Sequence, residues 1–268
     1  MTVLKAENLK KTFDQRMVVK GVDIEVRPGA ITCLLGRNGA GKTTTFRIIT
    51  GLTRPDTGAV FLNGENISGL SAPQRAEQGI VYLPQENSVF LKASVSENLK
   101  IILELKRPDI PDKDKYIQKL LKEMGLTGLK GQKAYSLSGG ERRRLEISRS
   151  LILNPRFLLL DEPFTGIDPL TIIELQKILL NLRTNGIGIL VSDHNVRDTL
   201  DITDQGYIIH EGSILVEGTP QKLASDPGAR KKFLGKNFSL GKKKSGHSSL
   251  GNIKSPKVSL KKTKKSPK

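Results

Sequence analysis

The sequence predicts an α/β fold with a mostly parallel sheet, an antiparallel β edge region and an inserted helical subdomain. Three short apolar runs, at Ile31–Leu35, 157–160 and 188–191, are typical of strands that are buried on both faces. The second and third runs each follow a helical stretch. Strands that alternate with helices in this way form parallel sheets.

The edge region and the helical subdomain have different patterns. Residues 3–7 and 22–26 alternate apolar and polar side chains, which predicts half-exposed strands. Between residues 88 and 153, Leu, Lys and Glu recur at helical spacing, and Pro108 and Pro111 interrupt the run. We therefore expect helices in this stretch, inserted into a core whose next strand begins near residue 157.

Length and composition exclude several classes of protein. The chain has 268 residues, 37% of them hydrophobic, which suffices for an ordinary buried core. No stretch approaches the roughly 18 apolar residues of a membrane span, and the first residues lack the pattern of a secretory signal. The single cysteine, Cys33, excludes an internal disulfide and is expected as a reduced, buried thiol, which fits the cytosol.

The net charge of +17 is concentrated at the end of the chain. Residues 241–268 contain ten lysines and no acidic residue, so the first 240 residues carry only about +7. This segment has few apolar side chains, which predicts a disordered tail. Its two Lys-Ser-Pro-Lys tetrads would bind nucleic acid or anionic lipid through their charge. The alternative is a solvated tail that only aids solubility.

A glycine-rich segment follows the first apolar strand and opens a helix predicted over 43–50. Gly36-Arg37-Asn38-Gly39-Ala40-Gly41-Lys42-Thr43 has the spacing G-x-x-x-x-G-K-[ST] of a phosphate-binding loop. Its glycines let backbone N–H groups approach phosphate oxygens, Lys42 supplies a charge, and Thr43 offers a hydroxyl to Mg²⁺. An ordinary glycine-rich turn is the alternative, but the flanking strand and helix favour the phosphate loop.

Two carboxylates, Asp161 and Glu162, end a predicted buried strand. A carboxylate there is costly unless it meets a cation or a hydrogen-bond donor. Mg²⁺ would meet this need for Asp161, and Glu162 would then serve as the general base for an attacking water. The pattern alone is also compatible with a helix N-cap.

The segment Leu137-Ser138-Gly139-Gly140-Glu141, followed by three arginines, resembles the signature of the ABC ATPases. The same residues predict a helix start, with Ser138 as the cap and Glu141 as its capping-box partner. Both interpretations hold together, because the resemblance implies that this helix N-terminus donates to the γ-phosphate of ATP bound by the opposite subunit.

The chain also contains the other motifs of the family, in the family's order. The resemblance implies that Gln85 contacts Mg²⁺ and water, that Asp168 crosses a dimer interface, and that His194 is the switch histidine at the γ-phosphate. It also makes Phe13 the candidate for stacking on adenine, although an isolated Phe near a strand is usually a core residue. Arg37 stands where many members have proline, at a variable position of the loop.

The resemblance implies an ABC-type P-loop NTPase core that binds ATP and Mg²⁺ and hydrolyses ATP. The catalytic residues it implies are Glu162, His194, Gln85 and Lys42. The Mg²⁺ ligands it implies are Thr43, Gln85 and Asp161. The nucleotide contacts it implies are Phe13, Gly36, Arg37, Asn38, Gly39, Ala40, Gly41, Lys42, Thr43, Thr44, Gln85, Ser138, Gly139, Gly140, Glu141, Asp168 and His194.

The chain is most similar in detail to the ATPases of lipopolysaccharide export transporters. The similar stretches are Tyr-Leu-Pro-Gln-Glu around Gln85, the signature with its arginines, Asp-His-Asn-Val-Arg from residue 193, and Leu-Gly-Lys-Asn-Phe-Ser-Leu at 234–240. The resemblance implies a homodimer, held in part by that last segment, on permease subunits at the cytoplasmic face of the inner membrane. The alternatives are an ATPase for branched-chain amino-acid uptake and a non-transport ABC ATPase that binds nucleic acid through its tail.

These patterns and the resemblance together predict how the chain is divided, except that the family does not require the tail. Residues 1–87 and 154–240 would form the nucleotide-binding α/β core, 88–153 the helical subdomain with the signature, and 241–268 the tail. A groove between the helical subdomain and the core would contact the permease, and residues 86–98, including Phe90, are the candidates for it.

Overall fold

The computed structural model describes residues 3–235 and 237–240. Its strands are β1 Leu4–Phe13, β2 Arg16–Val26, β3 Ile31–Leu35, β4 Thr57–Leu62, β5 Glu65–Asn66, β6 Ile80–Leu83, β7 Phe157–Asp161, β8 Gly188–Asp193, β9 Gln205–His210 and β10 Ser213–Gly218. Its α-helices are α1 Lys42–Ile49, α2 Ala72–Glu77, α3 Val95–Lys106, α4 Lys113–Glu123, α5 Gly139–Ile152, α6 Pro169–Thr184, α7 Val196–Ile202, α8 Pro220–Ser225 and α9 Pro227–Ala229.

The larger sheet carries the three predicted apolar strands at its centre. Its order within the described residues is β10-β9-β3-β8-β7-β6, and all neighbours are parallel except β10, which pairs antiparallel with β9. Every residue of β3, β7 and β8 is buried. The α/β prediction is therefore confirmed, because strands that are covered on both faces are apolar throughout.

The smaller sheet is antiparallel, in the order β2-β1-β4-β5, and forms the predicted edge region. Its first two strands are longer than the alternating pattern predicts. The register of β1 against β2 shifts between Ala6 and Leu9, where Asn8 has a φ of 46°. A bulge of this kind moves the buried face by one residue, so the period-two pattern breaks although the strand continues.

Helices α3, α4 and α5 fill the stretch between β6 and β7. Pro108 and Pro111 lie between α3 and α4, as expected for residues that interrupt a helix. Leu99, Leu120 and Leu145, one from each helix, are buried in the same hydrophobic cluster as Leu158 of β7. The helices thus pack directly on one face of the larger sheet, while the exact boundaries at 88 and 153 stay a prediction.

The last described residues pack back against the fold. The Arg230 guanidinium donates to the carbonyl oxygen of Phe238 at 3.3 Å, and that of Arg197 donates to the carbonyl oxygen of Ser239 at 3.4 Å. Phe233 and Leu240 contact the main core cluster. The predicted lysine-rich tail at 241–268 lies outside the described residues.

Two predictions about burial and membrane crossing have clear outcomes. Cys33 is fully buried, as predicted, and burial raises the pKa of its thiol to about 12. Within residues 3–235 and 237–240, none of the helices has the length and hydropathy of a membrane span.

Candidate functional site

The predicted phosphate loop forms the turn from β3 into α1. A Cβ on Gly36 would lie 2.5 Å from the carbonyl oxygen of Ile209, and one on Gly41 would lie 2.8 Å from that of Val18. Gly41 also has a φ of 107°, in the left-handed region. The neighbouring backbone therefore admits only glycine at both positions.

The Lys42 side chain is buried against the loop from which it projects. Its Nζ donates to the carbonyl oxygens of Gly36 and Arg37, at 2.8 and 3.2 Å. Burial lowers the pKa of the Lys42 ammonium, and the nearby carboxylates of Glu162 and Asp161 oppose this effect. Lys42 thus places its charge inside the loop, with acidic groups as its electrostatic partners.

A pocket of about 260 Å³ brings several predicted residues together. The loop supplies most of its lining, and Gln85 and Glu162 reach it from the ends of β6 and β7. The carboxyl ends of parallel strands meet at one edge of a sheet, which explains why residues so distant in sequence converge here. The residues that line it are Val18, Asn38, Gly39, Gly41, Lys42, Thr43, Thr44, Gln85 and Glu162.

Asp161 is completely buried at the end of β7. Its Oδ1 accepts a hydrogen bond from the Ser192 hydroxyl, and its Oδ2 accepts one from the Tyr82 hydroxyl at 3.2 Å. Burial raises the pKa of Tyr82, and the Asp161 charge raises it further. The helix-cap alternative for the two carboxylates is excluded, because α6 begins at Pro169 with Asp168 as its N-cap.

Glu162 stands at the centre of a polar cluster. Its Oε2 accepts hydrogen bonds from Gln85 Nε2 at 3.0 Å and from the Thr165 hydroxyl at 3.2 Å, and lies 3.5 Å from His194 Nδ1. The backbone of Glu162 has a φ of 48°, a conformation that costs a residue other than glycine about 1 kcal/mol. Its N–H donates to the Ser192 carbonyl oxygen at 2.8 Å, which helps to hold this conformation.

The loops that follow β7 and β8 are joined by Asp193. Its buried carboxylate accepts from the N–H groups of Phe164 and Asn195, at 2.9 and 2.8 Å. Burial raises the pKa of Asp193, although both hydrogen bonds oppose the shift. The sequence motifs give this residue no role of its own. Its position gives the same sequence signal as that of Asp161, because each is an acidic residue at the end of an apolar strand.

A buried ion pair on α5 holds the loop that carries Gln85. Arg143 donates to Glu146 at 2.9 Å, to the Pro84 carbonyl oxygen at 3.0 Å and to the Asp161 carbonyl oxygen at 3.1 Å. Glu146 in turn accepts from the Ser88 N–H at 2.7 Å. The pair therefore hydrogen-bonds to this loop on both sides of Gln85, at Pro84 and at Ser88. Nothing in the sequence distinguishes Arg143 from the exposed arginine of an ordinary helix.

The predicted start of the signature helix is confirmed. The Ser138 hydroxyl accepts from the Glu141 N–H at 3.3 Å, and the Glu141 carboxylate accepts from the Ser138 N–H at 2.8 Å. A Cβ on Gly140 would lie 2.0 Å from Cγ2 of Thr171, so α5 begins directly against the first turn of α6. Asp168 caps that turn by accepting from the Thr171 N–H at 3.0 Å, and hydrogen bonding to the side chain and the N–H of Thr171 lowers the pKa of Asp168.

The signature residues and Asp168 thus lie beside each other, but they do not line the phosphate-loop pocket of the same chain. Phe13 lies outside that pocket too. Its ring is 45% exposed at the end of β1, with the Lys11 ammonium 5.4 Å from the ring centroid, so it is not a core residue. Arg37, Asn38 and Ala40 line a second cavity of about 340 Å³ next to the loop.

A larger groove of about 800 Å³ lies along α3, within the predicted 86–98 segment and beyond it. Phe90 and Leu91 are half exposed there, and the Arg149 guanidinium lies 4.7 Å from the centroid of the Phe90 ring. The residues that line the groove are Val89, Phe90, Leu91, Lys92, Ala93, Glu97, Lys100, Ile101, Glu104 and Lys133.

A glycine-rich loop between a buried strand and a helix, facing a carboxylate pair on a parallel sheet, defines a P-loop nucleoside triphosphatase. The family model described as "ABC transporter" matches residues 19–165, more than half of the chain. The chain therefore belongs to the ATP-binding proteins of ABC transporters. As a member of this family it binds and hydrolyses ATP.

Comparison with individual proteins gives the same family. The chain is 46% identical over 238 residues to the lipopolysaccharide export system ATP-binding protein LptB of Acidithiobacillus ferridurans, covering 89% of this chain and 99% of that protein. It is 42% identical over 242 residues to LptB of Escherichia coli strain K12, covering 90% and 100%. A crystal structure of an ATP-binding cassette of an ABC transporter superposes with a TM-score of 0.80 at 30% identity, covering 88% and 100%.

Proposed function

We propose that this chain is the motor subunit of a lipopolysaccharide export transporter. The observation that carries this proposal is the similarity to two LptB proteins over nearly their whole length, combined with a phosphate-loop pocket that holds Lys42, Gln85 and Glu162 together. The chain would act as a homodimer at the cytoplasmic face of the inner membrane, bound to permease subunits of the export type. The similarity favours neither alternative, an ATPase for amino-acid uptake or one that binds nucleic acid, and the experiment below tests both.

The phosphate loop would hold ATP through its backbone N–H groups, with Lys42 as the mobile charge. The close approach of Gly36 and Gly41 to neighbouring carbonyl oxygens supports this, since a side chain at either position would deform the cradle. The pocket also contains Asn38 and Thr44 of the loop. Arg37 stands where many family members have proline. Since Asn38 and Thr44 still line the pocket, we expect ATP binding to survive this difference. Phe13 would stack on adenine through its exposed ring.

Thr43, Gln85 and Asp161 fit a Mg²⁺ site by their chemistry, because hydroxyl, amide and carboxylate oxygens are the ligands that this ion prefers. Bound there with ATP, the ion would neutralise charge that develops on the phosphates. Asp161 would supply its negative charge from the buried end of β7, where Ser192 and Tyr82 orient the carboxylate.

Glu162 would act as the general base for the attacking water. Three polar groups converge on its Oε2, namely the Gln85 amide, the Thr165 hydroxyl and the His194 ring. Gln85 would orient the water, and His194 would contact the γ-phosphate from the loop after β8. Lys42 would stabilise the charge that builds on the phosphates as the bond breaks.

Two copies would complete each other's sites. Ser138, Gly139, Gly140 and Glu141 form a helix start beside Asp168, away from the pocket of their own chain, and the first two of them are exposed. Such a helix start is an anion-binding site, and in a head-to-tail dimer it would meet the ATP on the partner's loop. The predicted division into a core (1–87 and 154–240) and a helical subdomain (88–153) would let this surface move relative to the loop.

The groove along α3 would contact the permease. Phe90 and Leu91 give it an exposed apolar surface, and the Ser88–Glu146–Arg143 contacts connect this region to the loop of Gln85. A movement at the groove would therefore reach Gln85 directly. The tail at 241–268 would add contacts to anionic lipid or nucleic acid, a function that its deletion tests without altering the rest of the chain.

The test is to purify the full-length Glu162→Gln protein with ATP from its own membranes in mild detergent. Loss of a general base lowers hydrolysis at least ~10²-fold, so this variant should stay ATP-bound and closed. Recovery of paired lipopolysaccharide-export permeases, identified by mass spectrometry, is the expected result. Recovery of amino-acid permeases, or of nucleic-acid-bound proteins alone, contradicts the proposal.

A matched pair of variants tests the groove in the same experiment. Phe90→Ala added to Glu162→Gln should release the permeases while the closed dimer persists. Leu105→Ala is the control, because Leu105 is also on α3 and is 70% exposed, but does not line the groove. Equal permease recovery from both double variants contradicts the role of the groove.

A further inference from the structure

Thr165 connects two residues of the proposed catalytic site. Its hydroxyl lies 3.2 Å from Glu162 Oε2 and 3.4 Å from His194 Nδ1. The carboxylate can only accept, so the hydroxyl hydrogen points to Glu162. With that hydrogen donated, the Thr165 oxygen is an acceptor for His194 in the tautomer that carries its hydrogen on Nδ1. The hydroxyl thus contacts both side chains, whose Nδ1 and Oε2 atoms lie 3.5 Å apart.

The backbone around Thr165 is held from both sides. The preceding residue, Phe164, donates its N–H to the buried carboxylate of Asp193 at 2.9 Å. The N–H of Thr165 itself donates to the Glu162 carbonyl oxygen at 3.3 Å. Three residues further on, Asp168 is the N-cap of α6. The hydroxyl is therefore carried by a segment whose two ends are anchored, which gives it a defined position.

A purely structural role does not account for this side chain. Thr165 is exposed, it lies outside the helices and strands, and it belongs to neither hydrophobic cluster of the described residues. Within the part of the chain that the structure describes, its hydroxyl contacts Glu162 and His194. Removing the hydroxyl should consequently affect these two residues far more than the stability of the fold.

We propose that Thr165 is a positioning residue, which holds the Glu162 carboxylate and the His194 ring in register for hydrolysis. This inference rests on the catalytic roles proposed above for Glu162 and His194. Because the segment with Thr165 ends at Asp168, it also connects the catalytic carboxylate to the surface proposed to meet the partner subunit. A shift of that surface on dimer closure would change the contacts of the Thr165 hydroxyl.

The test compares Thr165→Val, which keeps the shape but removes the hydroxyl, with Thr165→Ser, which keeps the hydroxyl. We expect the valine variant of the full-length chain to lose about tenfold in kcat, with the KM for ATP within about twofold, because a hydrogen bond to a charged group is lost without change to the phosphate loop. The serine variant should retain kcat within about twofold. Thermal unfolding checks the fold of both, and Thr165→Ala replaces the valine variant if that protein does not fold.

The outcomes separate this inference from the proposed function. A valine variant with wild-type kcat, or a serine variant as impaired as the valine variant, overturns the role of Thr165. A rise in KM with unchanged kcat overturns it too, because the hydroxyl would then serve ATP binding. Glu162→Gln is measured alongside: if it hydrolyses ATP at the wild-type rate, the catalytic assignment itself is wrong.

Discussion

The Oδ2 atom of Asp193 lies 2.9 Å from the amide nitrogen of Phe164, although the two residues are 29 positions apart in the chain. This contact joins the loop that contains Glu162 to the loop that contains His194. The other carboxylate oxygen accepts from the Asn195 N–H, next to His194. Both sides of the proposed catalytic cluster therefore depend on one buried carboxylate.

Asp193→Asn should impair both stability and hydrolysis. Each carboxylate oxygen of Asp193 accepts from one backbone N–H. The asparagine side chain has only one acceptor oxygen, so its NH₂ group would face the other N–H. An unsatisfied buried donor costs about 1–3 kcal/mol, and we expect a loss of this size in the free energy of unfolding, measured by urea titration. Asp201→Asn on the exposed side of α7 is the control, and equal effects of the two substitutions contradict this account.

Gly36→Ala should weaken ATP binding. The added Cβ would lie 2.5 Å from the Ile209 carbonyl oxygen, so the loop or β9 has to move. We expect at least a tenfold rise in the dissociation constant for ATP, on the order of 1.4 kcal/mol, measured with a fluorescent ATP analogue. Gly69→Ala is the matched control, because a Cβ there meets nothing within 4 Å. An ATP affinity unchanged in Gly36→Ala would show that the loop tolerates the side chain.

Arg75 is a fully buried guanidinium on α2 that supports the far end of α1. It donates to the carbonyl oxygens of Ile48 and Ile49, at 2.8 and 2.7 Å, and to those of Ser68 and Leu70. Burial lowers its pKa. Ile48 and Ile49 are the last residues of α1, the helix that begins at the phosphate loop. The last C=O groups of a helix have no N–H partner within the helix, so they need donors from elsewhere.

Arg75→Met should therefore be among the most destabilising substitutions in the chain. It removes the guanidinium that donates to four carbonyl oxygens, of which that of Ile48 keeps a hydrogen bond from the Gly51 N–H. We expect a loss of about 3–5 kcal/mol in the free energy of unfolding. The measurement is the midpoint of urea unfolding, with the exposed Arg54→Met as the control. A midpoint within error of the control would mean that water or neighbouring groups replace the guanidinium.

Glu97 makes stability depend on pH at the start of α3. Its carboxylate accepts from the Ser94 N–H, which lowers its pKa to about 2, with a further contribution from Lys133. A carboxyl whose folded pKa is depressed stabilises the protein above its unfolded pKa, and this contribution is lost as the pH falls from about 4.5 to about 2. Glu97→Gln should reduce the pH dependence of the free energy of unfolding between these two pH values. Glu104→Gln, on the same helix, should leave it unchanged. Identical pH profiles for wild type and Glu97→Gln would contradict the prediction.

Much of the fold follows from local patterns in the sequence. The buried strands β3, β7 and β8 were predicted from short apolar runs, and the start of α5 from the spacing of Ser138 and Glu141. The phosphate loop was predicted from its glycines and from the elements on either side of it. These features depend on residues within a few positions of one another, so the order of side chains along the chain is enough to specify them.

The arrangement around Glu162 was decided by the tertiary structure. Three residues there are Thr165, Asp193 and Arg143, whose roles depend on partners distant in sequence or on burial. The order of residues along the chain shows neither the distant partners nor the burial. Arg75 likewise resembles a surface arginine until the packing of α1 against α2 encloses it. The sequence by itself determined which elements form and where the phosphate loop lies, because these are short-range properties. Which polar groups meet at the ends of β6, β7 and β8 was decided only when the sheet brought those ends to one edge, since hydrogen bonds act over about 3 Å in space, whatever the separation along the chain.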